Sequence, residues 1–191
     1  MLAIANLSAL LLGGLQLLLP ILLPGVLFII AIKRNWLAGL NRPIDGGFHL
    51  AERPLFGPNK TWRGVFFYVV GAPVVVLALN VLGAQGWSVA PVFRSDPLQL
   101  GLSWGLAYVG GELLNSFVKR RLGIGAGLAA GSNIGAKIQP FFDNTDGSLA
   151  VGLLLIIAYH VEWQYLLVSF VLGLTVHALT DIWMRKLQLK K

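Results

Sequence analysis

The chain has 191 residues, of which 56% are hydrophobic and 12% are charged, and its mean hydropathy is +0.74. A soluble domain carries about 25% charged residues, so this composition excludes an ordinary soluble domain and predicts an integral membrane protein. The lack of cysteine excludes a disulfide framework, a thiol nucleophile and a zinc–thiolate site. The net charge of +7 fits basic loops beside a membrane, so we expect no nucleic-acid partner.

The first apolar segment covers residues 7–32. It contains no Lys or Arg, so it lacks the basic start of a secretory signal peptide, and it is too long for the apolar part of one. A helix needs roughly 20 apolar residues to cross the hydrocarbon core. We therefore predict a first membrane helix, kinked by Pro20 and Pro24.

Four further apolar segments follow, at residues 65–84, 98–118, 148–162 and 163–182. The last two leave room only for a short hairpin near Glu162, with Trp163 and Tyr165 as anchors at the membrane interface. The prediction is an all-α, polytopic membrane protein with about five transmembrane helices, forming a single domain over residues 1–191.

The basic residues support this count. With five spans, the Lys and Arg residues of 33–63, 119–137 and 185–191 all fall on one side, and Arg94 falls on the other. The positive-inside rule assigns the basic side to the cytoplasm. We therefore predict an outside N-terminus, a cytoplasmic C-terminus and a functional site formed by two cytoplasmic loops, at about 33–64 and 119–147.

The first of these loops contains the sequence Gly-Pro-Asn-Lys-Thr-Trp-Arg-Gly at 57–64. Its spacing is not that of a phosphate-binding P-loop, which needs four residues between its glycine and the Gly-Lys pair. Lys60, Thr61 and Arg63 nevertheless stand where a helix enters the membrane, which is a suitable place to hold phosphate oxygens. The alternative is a turn with interfacial Trp and Arg anchors.

An acidic residue, Glu112, lies within the third segment, on one helical stripe with Tyr108, Ser116 and Lys119. Ionisable groups inside a span are costly and usually face the bundle interior or a water-filled cavity. Glu112 is therefore either a structural acid, paired with a base from another helix or hydrated near the interface, or a metal ligand or orienting group at the floor of a polar cavity. The bases at 119–121 would, by themselves, be explained by topology and anionic lipid.

Asp143 and Asp146 come just before the fourth segment. Their carboxylates converge if the helix begins near Asp143, and they could also simply cap it. Oxygen ligands suit Mg²⁺, which takes one or two carboxylates together with substrate phosphates. The glycine-rich stretch at 123–135 is interpreted as a flexible cover or linker. None of the three histidines has a metal partner at helical spacing, and His177 is expected to form a hydrogen bond inside the bundle.

In order along the chain, residues 43–47, 56–64, 112–123 and 140–146 resemble the motifs of the CDP-archaeol synthase family. These are membrane cytidylyltransferases that use CTP and are related to phosphatidate cytidylyltransferase. The resemblance covers nearly the whole chain. It implies a transferase of phospholipid biosynthesis in the cytoplasmic membrane that moves CMP from CTP to a lipid phosphate with Mg²⁺, releases pyrophosphate and faces the cytoplasm. A homodimer is compatible with it.

The resemblance also assigns residues by position. Lys119, Arg120, Asp143 and Asp146 would be catalytic, and the metal ligands would be Glu112, Asp143 and Asp146. The nucleotide and phosphate site would comprise Asn59, Lys60, Thr61, Arg63, Ser116 and Arg121. Glu112 stands where the family usually has Asp, and Asn144 where Gln is common. These departures leave the lipid open between an archaeal-type ether lipid phosphate and phosphatidate.

The chemistry is also consistent with the residues. A phosphate monoester has a second pKa of about 6, so it is largely dianionic and nucleophilic without a general base. The obstacle is repulsion between two polyanions, which metal ions and Lys/Arg side chains relieve. Two alternatives remain: a small transporter or channel with Glu112 in its pathway, and a non-catalytic adaptor whose basic loops bind anionic lipid.

Overall fold

The computed structural model describes residues 7–128, 131 and 133–186. Side chains are described throughout this part except at 133, 134, 136, 137, 177, 178 and 180–186. The expected hydrogen bond of His177 and the basic residues at 187–191 therefore lie outside what the structure describes.

Five long helices make up most of the described chain: α1 (Leu7–Lys33), α2 (Trp62–Ala84), α3 (Pro97–Arg121), α4 (Asn133–Tyr159) and α5 (Trp163–Lys186). The α1–α2 connection contains an antiparallel hairpin of β1 (His49–Leu50) and β2 (Arg53–Pro54). Short 3₁₀ turns lie at Ala38–Leu40 and Pro91–Arg94. The predicted helical class is confirmed, with this small hairpin as an addition.

Among the described residues, three helical segments are long and apolar enough to cross a membrane: Leu7–Lys33, Trp62–Ala84 and Ile138–Tyr159. The apolar part of α5, Trp163–Val176, is shorter. These helices support an integral membrane protein. The count of five spans and the orientation stay predictions.

The fourth helix begins earlier than predicted. It starts at Asn133 and continues through Pro140, so Asp143 and Asp146 lie well inside it. The interpretation of the two aspartates as N-terminal caps is therefore wrong, and the connection between α3 and α4 spans only 122–132. The sequence prediction missed the early turns because it followed the apolar run that begins at 148.

Close helix packing brings α3 against both α2 and α4. A Cβ atom at Gly105 would lie 2.5 Å from the carbonyl oxygen of Tyr68, and one at Gly111 would lie 2.5 Å from that of Asp146. Only glycine permits such approaches, as is common between membrane helices. Trp104 and Phe93 stack in the fully buried core, with 6.0 Å between ring centroids. The glycine contacts therefore set the spacing of the helices that carry the acidic residues.

The connection between α4 and α5 consists of residues 160–162, with His160 in the left-handed region at φ 52°. The connection is therefore short where the sequence predicts a hairpin, and the position of Trp163 and Tyr165 at a membrane interface stays a prediction.

Candidate active site

The acids of α4 meet the basic end of α3. Lys119 Nζ lies 2.6 Å from Asp143 Oδ1. One turn earlier on α3, the Asn115 amide nitrogen donates to Asp143 Oδ1 at 2.9 Å and to Asp146 Oδ2 at 2.8 Å. The structure thus brings together three residues predicted from sequence and adds Asn115. The spacing of Asn115 from Lys119, four residues along a helix, was the available signal for it.

Glu112 belongs to a second ion pair. Its Oε2 lies 2.7 Å from Lys60 Nζ, and the two side chains are 28% and 27% exposed. The pair links α3 to the loop that precedes α2. Of the two alternatives for Glu112, the structure shows the pairing with a base from another element. A role as metal ligand stays a prediction, since it requires the carboxylate to leave Lys60.

The loop that carries Lys60 is held by Asp45. The Asp45 carboxylate accepts backbone N–H groups from Gly47 at 3.0 Å, Phe56 at 2.9 Å and Gly57 at 3.2 Å. Burial raises the pKa of Asp45, but these N–H groups outweigh burial and hold the pKa below its ordinary value. The Asp45 carboxylate therefore fixes the backbone at Phe56 and Gly57, a few residues before Lys60.

The end of the same loop is fixed at the start of α2. Thr61 is the N-cap, and its hydroxyl oxygen accepts the Gly64 N–H at 3.4 Å. The Lys60 carbonyl accepts the Ile44 N–H at 2.8 Å. Lys60 is thus presented from a backbone fixed at both ends.

The three arginines predicted to contact phosphates mostly donate to loop carbonyls. Arg120 is buried and donates to the carbonyls of Phe56 and Ile124. Arg121 donates to those of Leu50 at 2.5 Å and Pro54 at 2.7 Å, which attaches the hairpin to the end of α3.

The third arginine, Arg63, is also buried. It donates to the Trp36 carbonyl at 3.4 Å and to Asn41 Oδ1 at 3.1 Å. The arginines therefore tie the two loops to the helices, whereas Lys60 and Lys119 are paired with carboxylates.

The two loops face each other beside these pairs. A Cβ atom at Gly57 would lie 3.5 Å from Ala126 Cβ, and one at Gly127 would lie 3.9 Å from the amide nitrogen of exposed Asn59. Ser116, by contrast, is buried at 3% exposure. Asn59 thus lies at the rim that the two loops form, and Ser116 faces away from solvent.

A cavity of about 600 Å³ connects this polar region to the apolar interior. Glu112, Asp143, Asn144 and Thr145 line its polar end. Farther in, Tyr68 and Tyr108 stack at 4.1 Å between ring centroids, followed by apolar side chains of α1, α4 and α5. Charged groups and a long apolar groove therefore share one cavity.

The donor set fits a hard divalent cation. Within the described residues, no group of three His, Cys, Asp or Glu side chains is close enough to hold a metal ion. Mg²⁺ commonly uses one or two protein carboxylates and takes its other oxygens from water and substrate phosphates. Asp143 and Asp146, whose oxygens both lie within hydrogen-bond distance of one Asn115 nitrogen, satisfy that requirement.

Known proteins are similar to this chain in sequence and in fold. A family model described as CarS-like CDP-archaeol synthase matches residues 7–191. The CDP-archaeol synthase of Hyperthermus butylicus is 31% identical over 151 residues, covering 78% of this chain and 79% of the relative. That of Methanopyrus kandleri is 30% identical over 158 residues, covering 81% of each. A solved intramembrane enzyme for archaeal membrane lipid biosynthesis superposes with a TM-score of 0.59 at 25% identity, covering 86% of this chain and 92% of the other.

Proposed function

This chain belongs to the CDP-archaeol synthase family, and on that premise we propose that it transfers CMP from CTP to an archaeal-type ether lipid phosphate. The supporting observation is a cavity lined by Glu112 and Asp143, each of which is paired with a lysine, together with apolar side chains of the membrane helices. A lipid phosphate needs such a site, because its headgroup must meet a soluble nucleotide while its chains remain in an apolar environment.

The proposed reaction breaks one phosphoanhydride bond and forms another. An oxygen of the lipid phosphate attacks the α-phosphorus of CTP, the bond from that phosphorus to the oxygen leading to the β-phosphate breaks, and pyrophosphate leaves. The attacking phosphate is already largely dianionic near pH 7, so no side chain needs to remove a proton. Catalysis then depends on positioning and on neutralising charge.

Lys60 and Lys119 are the cations best placed for that task. Each holds a carboxylate at hydrogen-bond distance, and a phosphate oxygen can replace a carboxylate oxygen as the acceptor. When bound, Mg²⁺ would neutralise and orient phosphate oxygens, and Asp143 and Asp146 would hold it.

The arginines have a different role in this proposal. Arg63, Arg120 and Arg121 hold the backbone that presents Lys60. Direct phosphate contact by any of them, as the sequence predicts, would require the guanidinium to leave its carbonyl partners. The loops that they hold form the expected binding site for the cytidine and triphosphate, with Asn59 and Thr61 at its edge.

The decisive experiment supplies purified protein with Mg²⁺, labelled CTP and a panel of lipid phosphates. We expect a CDP-lipid and pyrophosphate, formed faster with the ether lipid phosphate than with phosphatidate. A preference for phosphatidate would correct the lipid, and no product with either would refute the proposed reaction.

Substitution of Asp146 tests the role of the paired carboxylates. Asp146→Asn removes one of two anionic ligands, so we expect turnover to fall by at least about 100-fold. Asp96→Asn is a matched control, because Asp96 caps the opposite end of α3 by accepting the Gln99 N–H at 2.7 Å. Full activity in Asp146→Asn would exclude the metal role.

A further inference from the structure

Asn115 is the side chain that joins the two aspartates of α4. Its amide nitrogen lies between Asp143 Oδ1 and Asp146 Oδ2, at 2.9 and 2.8 Å. Two carboxylates so close together repel each other. The amide hydrogens of Asn115 therefore occupy the position between them that would favour a cation.

The two aspartates are not compensated equally. Asp143 has the ammonium of Lys119 at 2.6 Å. Asp146 accepts the Asn115 amide and the backbone N–H of Gly147, both of which are neutral. Among the described residues it forms no ion pair, so a bound cation would gain most at the side of Asp146 that Asn115 now faces.

The Asn115 amide can contact the two carboxylates both without a cation and with a cation bound between them. Its nitrogen donates two hydrogen bonds, and its oxygen accepts. A cation between the carboxylates would repel the NH₂ group and attract the carbonyl oxygen, and half a turn of the amide exchanges the two within nearly the same volume. Asn carbonyl oxygens are ordinary ligands of hard divalent cations.

We propose that Asn115 is a third oxygen ligand of the divalent cation held by Asp143 and Asp146, and that it bridges their carboxylates through its NH₂ group when the cation is absent. The inference rests on the proposed function, which supplies the need for the cation. It also suits the charges at the site. Glu112 is paired with Lys60, so the neutral Asn115 amide supplies a third oxygen without requiring a third carboxylate.

The test uses the fact that the chain has no cysteine. Asn115→Cys places one thiolate at the proposed ligand position, and a thiolate bound directly to Co²⁺ gives a charge-transfer absorption. We expect this band when Co²⁺ is added to the purified full-length variant without CTP. It should disappear in Asn115→Cys/Asp146→Asn. Leu114→Cys is the matched control, since Leu114 is the adjacent residue on α3 and is 64% exposed.

A folded Asn115→Cys variant without the band would overturn the inference. If that variant does not fold, Asn115→Ala gives the answer through Mn²⁺ affinity: a loss on the order of 10-fold or more supports the ligand, and wild-type affinity refutes it. Neither measurement uses turnover. If Asn115→Cys lacks the band and the wild-type protein makes CDP-lipid, only the role of Asn115 is refuted. If Asn115→Cys shows the band and the wild-type protein makes no CDP-lipid, only the proposed reaction is refuted.

Discussion

Lys60 is a charged residue whose expected effects on folding stability and on substrate binding differ in size. The pair of Lys60 and Glu112 is about a quarter exposed, and ion pairs of that kind contribute less than about 1 kcal/mol to folding. A phosphate contact by the same lysine affects substrate binding far more. The structural role of Lys60 and its proposed contact with phosphate are therefore distinguishable by experiment.

We expect Lys60→Met to raise the KM for CTP by at least about 10-fold while changing the free energy of unfolding by less than about 1 kcal/mol. Lys33→Met removes an equally basic, exposed side chain at the end of α1 and serves as the control. Steady-state kinetics and unfolding in detergent give the two values. An equal rise in KM in both variants would point to a general loss of basic charge and count against a contact with Lys60.

Asp45 makes the stability of the loop that carries Lys60 depend on pH. Its folded pKa lies below the ordinary value of about 3.9. The stabilisation by the ionised Asp45 carboxylate is therefore complete above the ordinary pKa. It is lost as the pH falls from that value through the lower pKa of the folded state. We expect the amides of Gly47, Phe56 and Gly57, which donate to Asp45, to lose protection as the pH falls below about 4, once exchange rates are corrected for intrinsic pH dependence. Asp45→Asn should show low protection at every pH, and protection equal to wild type would contradict the assignment.

At the scale of residues, the sequence identified the charged groups of the site but not the uncharged Asn115. Lys60, Lys119, Glu112 and Asp143 stand out because only 12% of the residues in this chain are charged. The spacing of Asn115 places it on the same helical face as Lys119, but its importance depends on α3 and α4 lying close enough for its amide to reach two carboxylates.

At the scale of elements, the crossing of α3 and α4 controls the site. A Cβ atom at Gly111 would lie 2.5 Å from the Asp146 carbonyl oxygen and 2.7 Å from Ala150 Cβ. Neither neighbour is the end of a flexible side chain, so the helices must separate. Any separation moves Asp146 away from Asn115, one turn along α3.

We expect Gly111→Ala to destabilise the protein by about 1–3 kcal/mol and to lower turnover by more than about 10-fold. Gly110→Ala is a close control, because a Cβ atom there has nothing within 4 Å. Both variants gain the same helix propensity, about 1 kcal/mol, so the difference between them isolates the clash. Equal stability and turnover would show that the helices do not meet at Gly111.

The elements themselves were predictable where their apolar runs are long. All five helices appear near the predicted spans, but α4 starts fifteen residues before the predicted 148, at Asn133. The part of α4 before residue 148 contains Pro140 and the polar sequence Asp-Asn-Thr-Asp at 143–146, so neither hydropathy nor local propensity marks it as helix. The short hairpin before α2 has no apolar alternation and depends on Arg121, which donates to its carbonyls.

At the scale of the whole molecule, the charges predict which side faces the cytoplasm. An α-helix of 27 residues, such as α1, is about 40 Å long, enough to cross a hydrocarbon core of about 30 Å. The β1–β2 hairpin and the α2–α3 connection lie at opposite ends of α2, so the predicted topology puts one membrane crossing between them. Exposed Glu52 and exposed Gln85 therefore report on the two sides.

The absence of native cysteine allows that arrangement to be tested with single labels. In right-side-out vesicles, we expect a membrane-impermeant maleimide to label Gln85→Cys at once and Glu52→Cys only after permeabilisation. Each substitution replaces an exposed side chain away from the acids and lysines of the site, so CDP-lipid synthesis should persist and confirm folding. The reverse pattern would place the site outside. Since CTP is supplied from the cytoplasm, that result would contradict both the orientation and the proposed use of CTP.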